Sequence, residues 1–322
     1  MRIIVLLGIV GFLSCQTEEY QEDIPIGFPS ISYPEDNYPT VERVKLGRSL
    51  FFDPILSKDS TIACSSCHLP EFAYADTVSV SPGVEGLTGK RNAYSLLNVA
   101  YQKALFMEGG VPNLELQALA PLGDESEQQM LISEAAKRLS RIENYQELAR
   151  KAYDRDIDPY VITRSLAAFE RTLISGHSRY DKYMEGDQSA LSINEQKGME
   201  LFFGKANCSS CHSGFLFTNQ EFENIGLYEK YEDMGRMRLT DDTLDKGKFK
   251  VPGLRNVSKT APYMHDGSIK HLSEVIEHFN NGGGEHQNKS PLIKELHLDS
   301  IEKTQLLNFL FALEDTVIIG DF

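Results

Sequence analysis

Apolar residues recur at helical spacing in several stretches of the chain, and no segment sustains the apolar/polar alternation of a half-buried strand. The rhythm runs from Val161 to Ile174 and again from Leu306 to Leu313. Ahead of the second stretch, Asp299 and Glu302 have the spacing of a capping box, in which two side chains satisfy orphan N–H groups at a helix start. Ser192 and Glu195 repeat the device before Gln196-Lys197-Gly198-Met199-Glu200-Leu201-Phe202-Phe203. That segment is similar to Lys45-Leu46-Gly47-Arg48-Ser49-Leu50-Phe51-Phe52, so each half opens with a similar helix. The pattern predicts an all-α, mostly helical chain of two domains, joined between about Gly176 and Ser192.

At 322 residues and 41% hydrophobic, the chain is long enough to bury two modest cores. A formal charge of −15 argues against nucleic acid or an anionic membrane surface as partner. The first residues, Met1-Arg2-Ile3-Ile4-Val5-Leu6-Leu7, continue as a short apolar run that cannot span a bilayer and reads as an export signal. Its end, Phe12-Leu13-Ser14-Cys15, resembles a bacterial lipobox. The expectation is a signal peptide over 1–15, lipidation of Cys15, a solvated acidic tether over 16–39, and a periplasmic protein attached to a membrane by lipid only.

The other four cysteines fall into two clusters of one spacing, Cys64-Ser65-Ser66-Cys67-His68 and Cys208-Ser209-Ser210-Cys211-His212. Two thiols so placed reach the two vinyl groups of one haem, and the adjacent histidine then lies under the iron. A four-cysteine zinc site and a pair of redox dithiols also use paired cysteines, but neither explains the histidines. The expected cofactors are therefore two covalent haem c groups. One is held by Cys64, Cys67 and His68 in a domain over 40–185, the other by Cys208, Cys211 and His212 in a domain over 186–322.

Further segments carry a resemblance. Leu50-Phe51-Phe52-Asp53-Pro54, Arg91-Asn92-Ala93-Tyr94-Ser95-Leu96-Leu97-Asn98-Val99-Ala100, Leu254-Arg255-Asn256-Val257 and Ala261-Pro262-Tyr263-Met264-His265-Asp266-Gly267 stand in the order found in bacterial dihaem cytochrome c peroxidases. That family includes the methylamine-dehydrogenase maturation enzyme, and the resemblance covers roughly residues 40 to 315. It implies two cytochrome c-like domains: an N-terminal haem where hydrogen peroxide reacts, and a C-terminal haem that takes electrons from a small cytochrome c or cupredoxin. It also implies Gln117 and Glu127 in the peroxide pocket, with Glu125 close enough to leave the register open, and a calcium ion on the Asn92 side chain and the Thr260 and Pro262 carbonyls. Read without the resemblance, Glu125 and Glu127 are solvated loop charges and Asn92 is a turn residue.

Three positions depart from the family pattern. Val84 stands where many members carry a histidine that blocks the first iron, and no histidine occurs from Leu69 to Gly176, so the first haem is expected to be open without prior reduction. The family's inter-haem tryptophan segment reads Phe106-Met107-Glu108-Gly109 in a chain with no tryptophan, which leaves Tyr94, another tyrosine or direct tunnelling as the route. Phe279 occupies the position of the second haem's distal ligand, with Met264, His278 and His286 as nearby donors. The reading is a peroxidase reducing hydrogen peroxide to water. The alternatives are a maturation-type oxidase acting on a protein or organic substrate and a non-enzymatic electron-transfer cytochrome; oligomeric state stays open.

Overall fold

The computed structural model describes residues 20–315; the signal segment and Cys15 lie outside the described residues. The first half contains α1 (Val41–Phe52), α2 (Leu114–Gln117), α3 (Leu119–Gly123), α4 (Ile132–Leu139), α5 (Glu143–Tyr153) and α6 (Pro159–Glu170). The second contains α7 (Arg179–Met184), α8 (Ile193–Phe203), α9 (Met237–Thr240), α10 (Leu272–Asn280) and α11 (Ser300–Ala312). Two short strands, β1 (Phe222–Glu223) and β2 (Phe249–Lys250), pair antiparallel with Phe222 opposite Lys250. The mostly helical expectation is met.

Both capping boxes form: Ser192 N–H donates to Glu195 Oε2 at 2.7 Å, and Asp299 N–H to Glu302 Oε2 at 2.9 Å. In each half the opening helix crosses the last one at a glycine. A Cβ on Gly47 of α1 would sit 1.8 Å from the Ser165 carbonyl oxygen of α6, and one on Gly198 of α8 would sit 1.9 Å from that of Gln305 on α11. Only a residue without a side chain lets the backbones meet at these points. Phe169 and Phe309 lie beside the two crossings.

Each crossing anchors its own core. The first gathers Leu46, Leu50, Phe51, Tyr74, Leu139, Ile162 and Phe169, with Cys64 packed against it. The second gathers Phe202, Phe217, Ile276, Leu306 and Phe309, with Cys208 packed against it. An asparagine closes each half in the same way: Asn98 N–H donates to the Leu173 carbonyl, and Asn256 N–H to that of Leu313.

Two segments near the expected boundaries make packing contacts of their own. Helix α7, placed in the first domain by a division at 185, packs with the second: Asp181 takes both 2.8 Å hydrogen bonds of the Arg255 guanidinium, and the Tyr180 ring meets Phe217 and Phe309. The end of the expected tether is likewise packed rather than solvated, because Pro25, Ile31, Asn37 and Pro39 find partners that bury them. Phe28 stacks edge-on against Tyr101 of the first half and Phe215 of the second.

The seam between the halves is polar. Arg91 pairs with Asp233 at 2.7 Å and with Glu108, Asn92 N–H donates to the His265 carbonyl at 2.8 Å, and Lys250 N–H donates to the Met107 carbonyl at 2.7 Å. The chain also repeats itself here. Bridges Leu105–Val111 and Tyr263–Ile269 close two turns of one size, which align Phe106 with Met264, Met107 with His265 and Gly109 with Gly267. Phe106 and Met264 share positive φ angles of 62° and 76°.

Candidate functional site

The two cysteine-histidine motifs adopt one local shape. Cys64–Ser66 and Cys208–Ser210 are single 3-10 turns, which bring each histidine N–H onto the carbonyl of the first cysteine, at 3.0 Å for His68 and 2.8 Å for His212. The imidazoles are then fixed from one side. His68 Nδ1 lies 2.9 Å from the Tyr74 carbonyl, and His212 Nδ1 lies 3.0 Å from that of Phe217 and 3.1 Å from that of Pro252. A carbonyl only accepts, so each Nδ1 carries the proton and each Nε2 keeps its lone pair. Burial pushes both imidazoles below the usual histidine range, which keeps them neutral.

This arrangement fits covalent haem. A neutral imidazole oriented through Nδ1 is the donor an iron requires, and one thiol of each pair packs against an apolar core that can receive a flat ring system. The rivals fit less well. Burial pushes the Cys64 and Cys208 thiols up to about 12, opposite to the activated thiolate of a redox dithiol. Among the described residues, no three His, Cys, Asp or Glu side chains converge as a shared zinc site would need.

Around the first motif the structure separates two neighbouring carboxylates. Desolvation by the surrounding protein and the charge of Asp124 push Glu127 up to about 7, although by accessible surface the residue is exposed, as Glu125 is. Its charge acts on the Cys67 thiol and on Tyr94. Glu125 lies on the exterior, in a cleft with Lys58, Glu85 and Leu131. The Glu127 carbonyl also receives the Val84 N–H at 2.8 Å, and Val84 is fully buried. Gln117 sits half-buried at the end of α2, which Asn113 caps through the Leu116 N–H.

Asn92 is 8% exposed and donates its amide hydrogens to the Val78 and Ser79 carbonyls at 3.1 and 3.3 Å. Its Oδ1 is left facing the other way. The Thr260 and Pro262 carbonyls accept no hydrogen bond from another described residue, so the expected calcium donors keep their lone pairs. In the second half, His278 Nε2 lies 3.0 Å from the Ile225 carbonyl. His286 Nδ1 takes the Asn288 N–H at 3.0 Å and lies 3.1 Å from Asn224 Nδ2. Both histidines are thus held by the protein, while Met264 stays half-buried in its turn.

Sequence reasoning missed Glu170. It is 5% exposed on the buried helix α6, makes no side-chain hydrogen bond among the described residues, and is pushed up to about 8 by burial. Its charge reaches Cys64 and Tyr94, which places it on the side of the first motif. The available signal was an acidic residue within the apolar rhythm of Val161–Ile174. Also missed was Gln128, whose Nε2 lies 3.7 Å from Cys64 Sγ while its buried Oε1 has no partner.

The profile of the family described as Di-haem cytochrome c peroxidase matches residues 41–189. The Methylamine utilization protein MauG of Methylophilus methylotrophus is 35% identical over 88% of this chain and 86% of its own length. The Cytochrome-c peroxidase IdrP1 of Pseudomonas sp. (strain SCT) is 34% identical over 97% of this chain and 91% of its own. Among solved structures, a MauG-like protein associated with microbial copper homeostasis superimposes with a TM-score of 0.87 at 34% identity, covering 92% of this chain and 96% of that one.

Proposed function

The chain belongs to the di-haem cytochrome c peroxidase family, and from that premise we propose that it reduces hydrogen peroxide to water with electrons from a small periplasmic redox protein. The observation that carries the reading is Glu127: a carboxyl titrating near neutrality, within electrostatic reach of Cys67, beside a buried valine rather than a blocking histidine.

In this reading Cys64 and Cys67 anchor the first haem with His68 Nε2 as proximal ligand, and Cys208, Cys211 and His212 do the same for the second. When bound, the haems supply irons that exchange electrons and a site where the peroxide O–O bond breaks. The chain supplies the proton handling. Glu127 takes the proton of one peroxide oxygen and returns it to the other, and a carboxyl near 7 does both at little cost. Gln117 offers an amide hydrogen bond to orient peroxide. Two protons and two electrons then complete two waters. Met264 and His278, whose Nδ1 keeps its lone pair when Nε2 donates to the Ile225 carbonyl, are the candidate donors to the second iron, while the lone pair of His286 Nδ1 takes the Asn288 N–H. Asn92 Oδ1 with the Thr260 and Pro262 carbonyls would hold calcium at the seam, and Cys15 would carry the lipid.

The test is steady-state peroxide turnover by the fully oxidised protein, with a reduced small cytochrome or cupredoxin as donor and with calcium present or chelated. Turnover in the oxidised state is expected, and none in any state would overturn the reading. A second reading, oxidation of a protein or organic substrate, is favoured by the MauG relatives and by Phe279 at the distal position. It predicts slow peroxide turnover with a small donor and a long-lived oxidised state that a second substrate discharges.

A further inference from the structure

The two iron-binding histidines are joined through the seam by a run of covalent and hydrogen bonds that needs no tryptophan. The Tyr94 carbonyl lies beside His68, next to the ring nitrogen that donates to Tyr74. At its other end, the Tyr94 hydroxyl oxygen accepts the Phe106 N–H at 3.1 Å. The peptide from Phe106 leads to the Met107 carbonyl, which accepts the Lys250 N–H of the second half at 2.7 Å. Two residues further, the Pro252 carbonyl lies 3.1 Å from His212 Nδ1.

We propose that this line, His68–Tyr94–Phe106–Met107–Lys250–Pro252–His212, is the electron route between the two haems, with the Tyr94 hydroxyl as its positioning residue in the first half. With both haems bound, the line would carry one electron from the His212 side to the His68 side. No bond forms or breaks along the line, each hydrogen-bond proton stays on its donor, and Tyr94 itself is not oxidised.

The geometry is held from both sides. The Lys250 ammonium donates to the Ala104 carbonyl at 2.7 Å, Arg236 donates to the Glu108 carbonyl at 3.0 Å, and the Thr218 hydroxyl donates to the Val251 carbonyl at 2.6 Å. These contacts fix the chain on either side of the Met107–Lys250 bond, so the crossing is a rigid main-chain pair. A competing line also crosses the seam: Phe249 stacks on His265 at 4.1 Å and 18°, with the Arg91 guanidinium over the same ring. That line also reaches both histidines, through the His265 carbonyl and Asn92–Ala93–Tyr94 on one side and Lys250–Pro252 on the other, but it needs a through-space step between stacked rings, so the line made only of covalent and hydrogen bonds is preferred.

The inference rests on the ligand assignment above, and the experiment separates the two. In holoprotein reduced at the second haem, flash or stopped-flow oxidation of the first haem is followed by absorbance, so the inter-haem rate is read directly. Both midpoint potentials are measured alongside. Tyr94→Phe keeps the ring and removes the oxygen that accepts the Phe106 N–H. It is expected to slow the inter-haem step by about tenfold or more with both potentials unchanged. Phe249→Leu is expected to leave that rate as it is. An unchanged rate in Tyr94→Phe, an equal slowing in both variants, or a tyrosyl signal by electron paramagnetic resonance during transfer would each overturn the route. Fewer than two covalent haems per wild-type chain would instead overturn the reading on which it rests.

Discussion

The main-chain N–H of Val84 donates to the main-chain carbonyl of Glu127 at 2.8 Å, so the residue standing where the family resemblance leads one to expect a blocking histidine is tied to the backbone of the residue proposed to move the proton. Val84 is apolar and fully buried, and it offers no donor to an iron. The fully oxidised protein is therefore expected to turn over peroxide without a reductive lag and to show a high-spin first haem. Val84→His should convert that haem to low spin and introduce a lag that prereduction removes. Absorbance and electron paramagnetic resonance of the oxidised protein check this, and a low-spin first haem in the wild type would contradict it.

Glu127→Gln should lower kcat/KM for peroxide by about 10²- to 10⁴-fold at unchanged haem content, the usual contribution of a positioned acid-base group. Desolvation raises this carboxyl to about 7, so its basic form grows as pH rises through that value. Wild-type kcat/KM should climb with pH up to about 7 and then level, and the Gln variant should be flat over the same range. Glu125→Gln, on the exterior, should change neither the rate nor the profile. Equal losses in the two variants would put the register in favour of neither.

Glu170 makes stability depend on pH in a direction opposite to that of a paired carboxylate. It titrates near 8 in the folded chain against an ordinary value of 4.5. Between those values the unfolded chain has released a proton that the folded chain keeps, so stability falls as pH rises across the window. The neighbouring charges are Arg171, which eases ionisation, and Glu115, which opposes it. Thermal unfolding of the holoprotein should show Tm dropping from pH 5 to pH 8, with a shallower drop in Glu170→Gln. Parallel curves would show that Glu170 is not the group responsible.

The paired glycine crossings predict matched structural effects. Gly47→Ala and Gly198→Ala each force a methyl group onto a facing carbonyl, and such overpacking typically costs about 1–3 kcal/mol. Calorimetry should show the two variants destabilised by similar amounts, each with its larger effect on the unfolding of its own half. An exposed control, Gly123→Ala, meets nothing within 4 Å and should be neutral.

The cysteine-histidine motifs, the capping boxes and the helix pair of each half were legible because each is a local signal: a spacing of three, or an apolar rhythm within one turn-forming segment. The second duplication, Leu105–Val111 against Tyr263–Ile269, was harder to see because its partners share few residue identities. What makes them alike is backbone conformation, a positive φ at Phe106 and at Met264 and another at each glycine three residues on. The choice between Glu127 and Glu125 was also closed to spacing arguments. Two exposed carboxylates two residues apart differ in what lies around them in the fold: Glu127 is near Cys67 and Asp124, and Glu125 faces the cleft of Lys58 and Glu85.

By itself, then, the sequence displayed the local chemistry: two cysteine-histidine motifs of one spacing, in a chain whose apolar rhythm is helical. Those properties travel with short segments and survive any arrangement of the rest. Tertiary structure alone decided what surrounds them. It set Val84 on the Glu127 carbonyl, sank Glu170 into the first core where an ionised carboxylate is costly, occupied His278 and His286 with hydrogen bonds, and brought the Met107 carbonyl to the Lys250 N–H. Each of these depends on groups far apart in the chain meeting within a few ångströms, and proton affinities and electron routes are set at that distance.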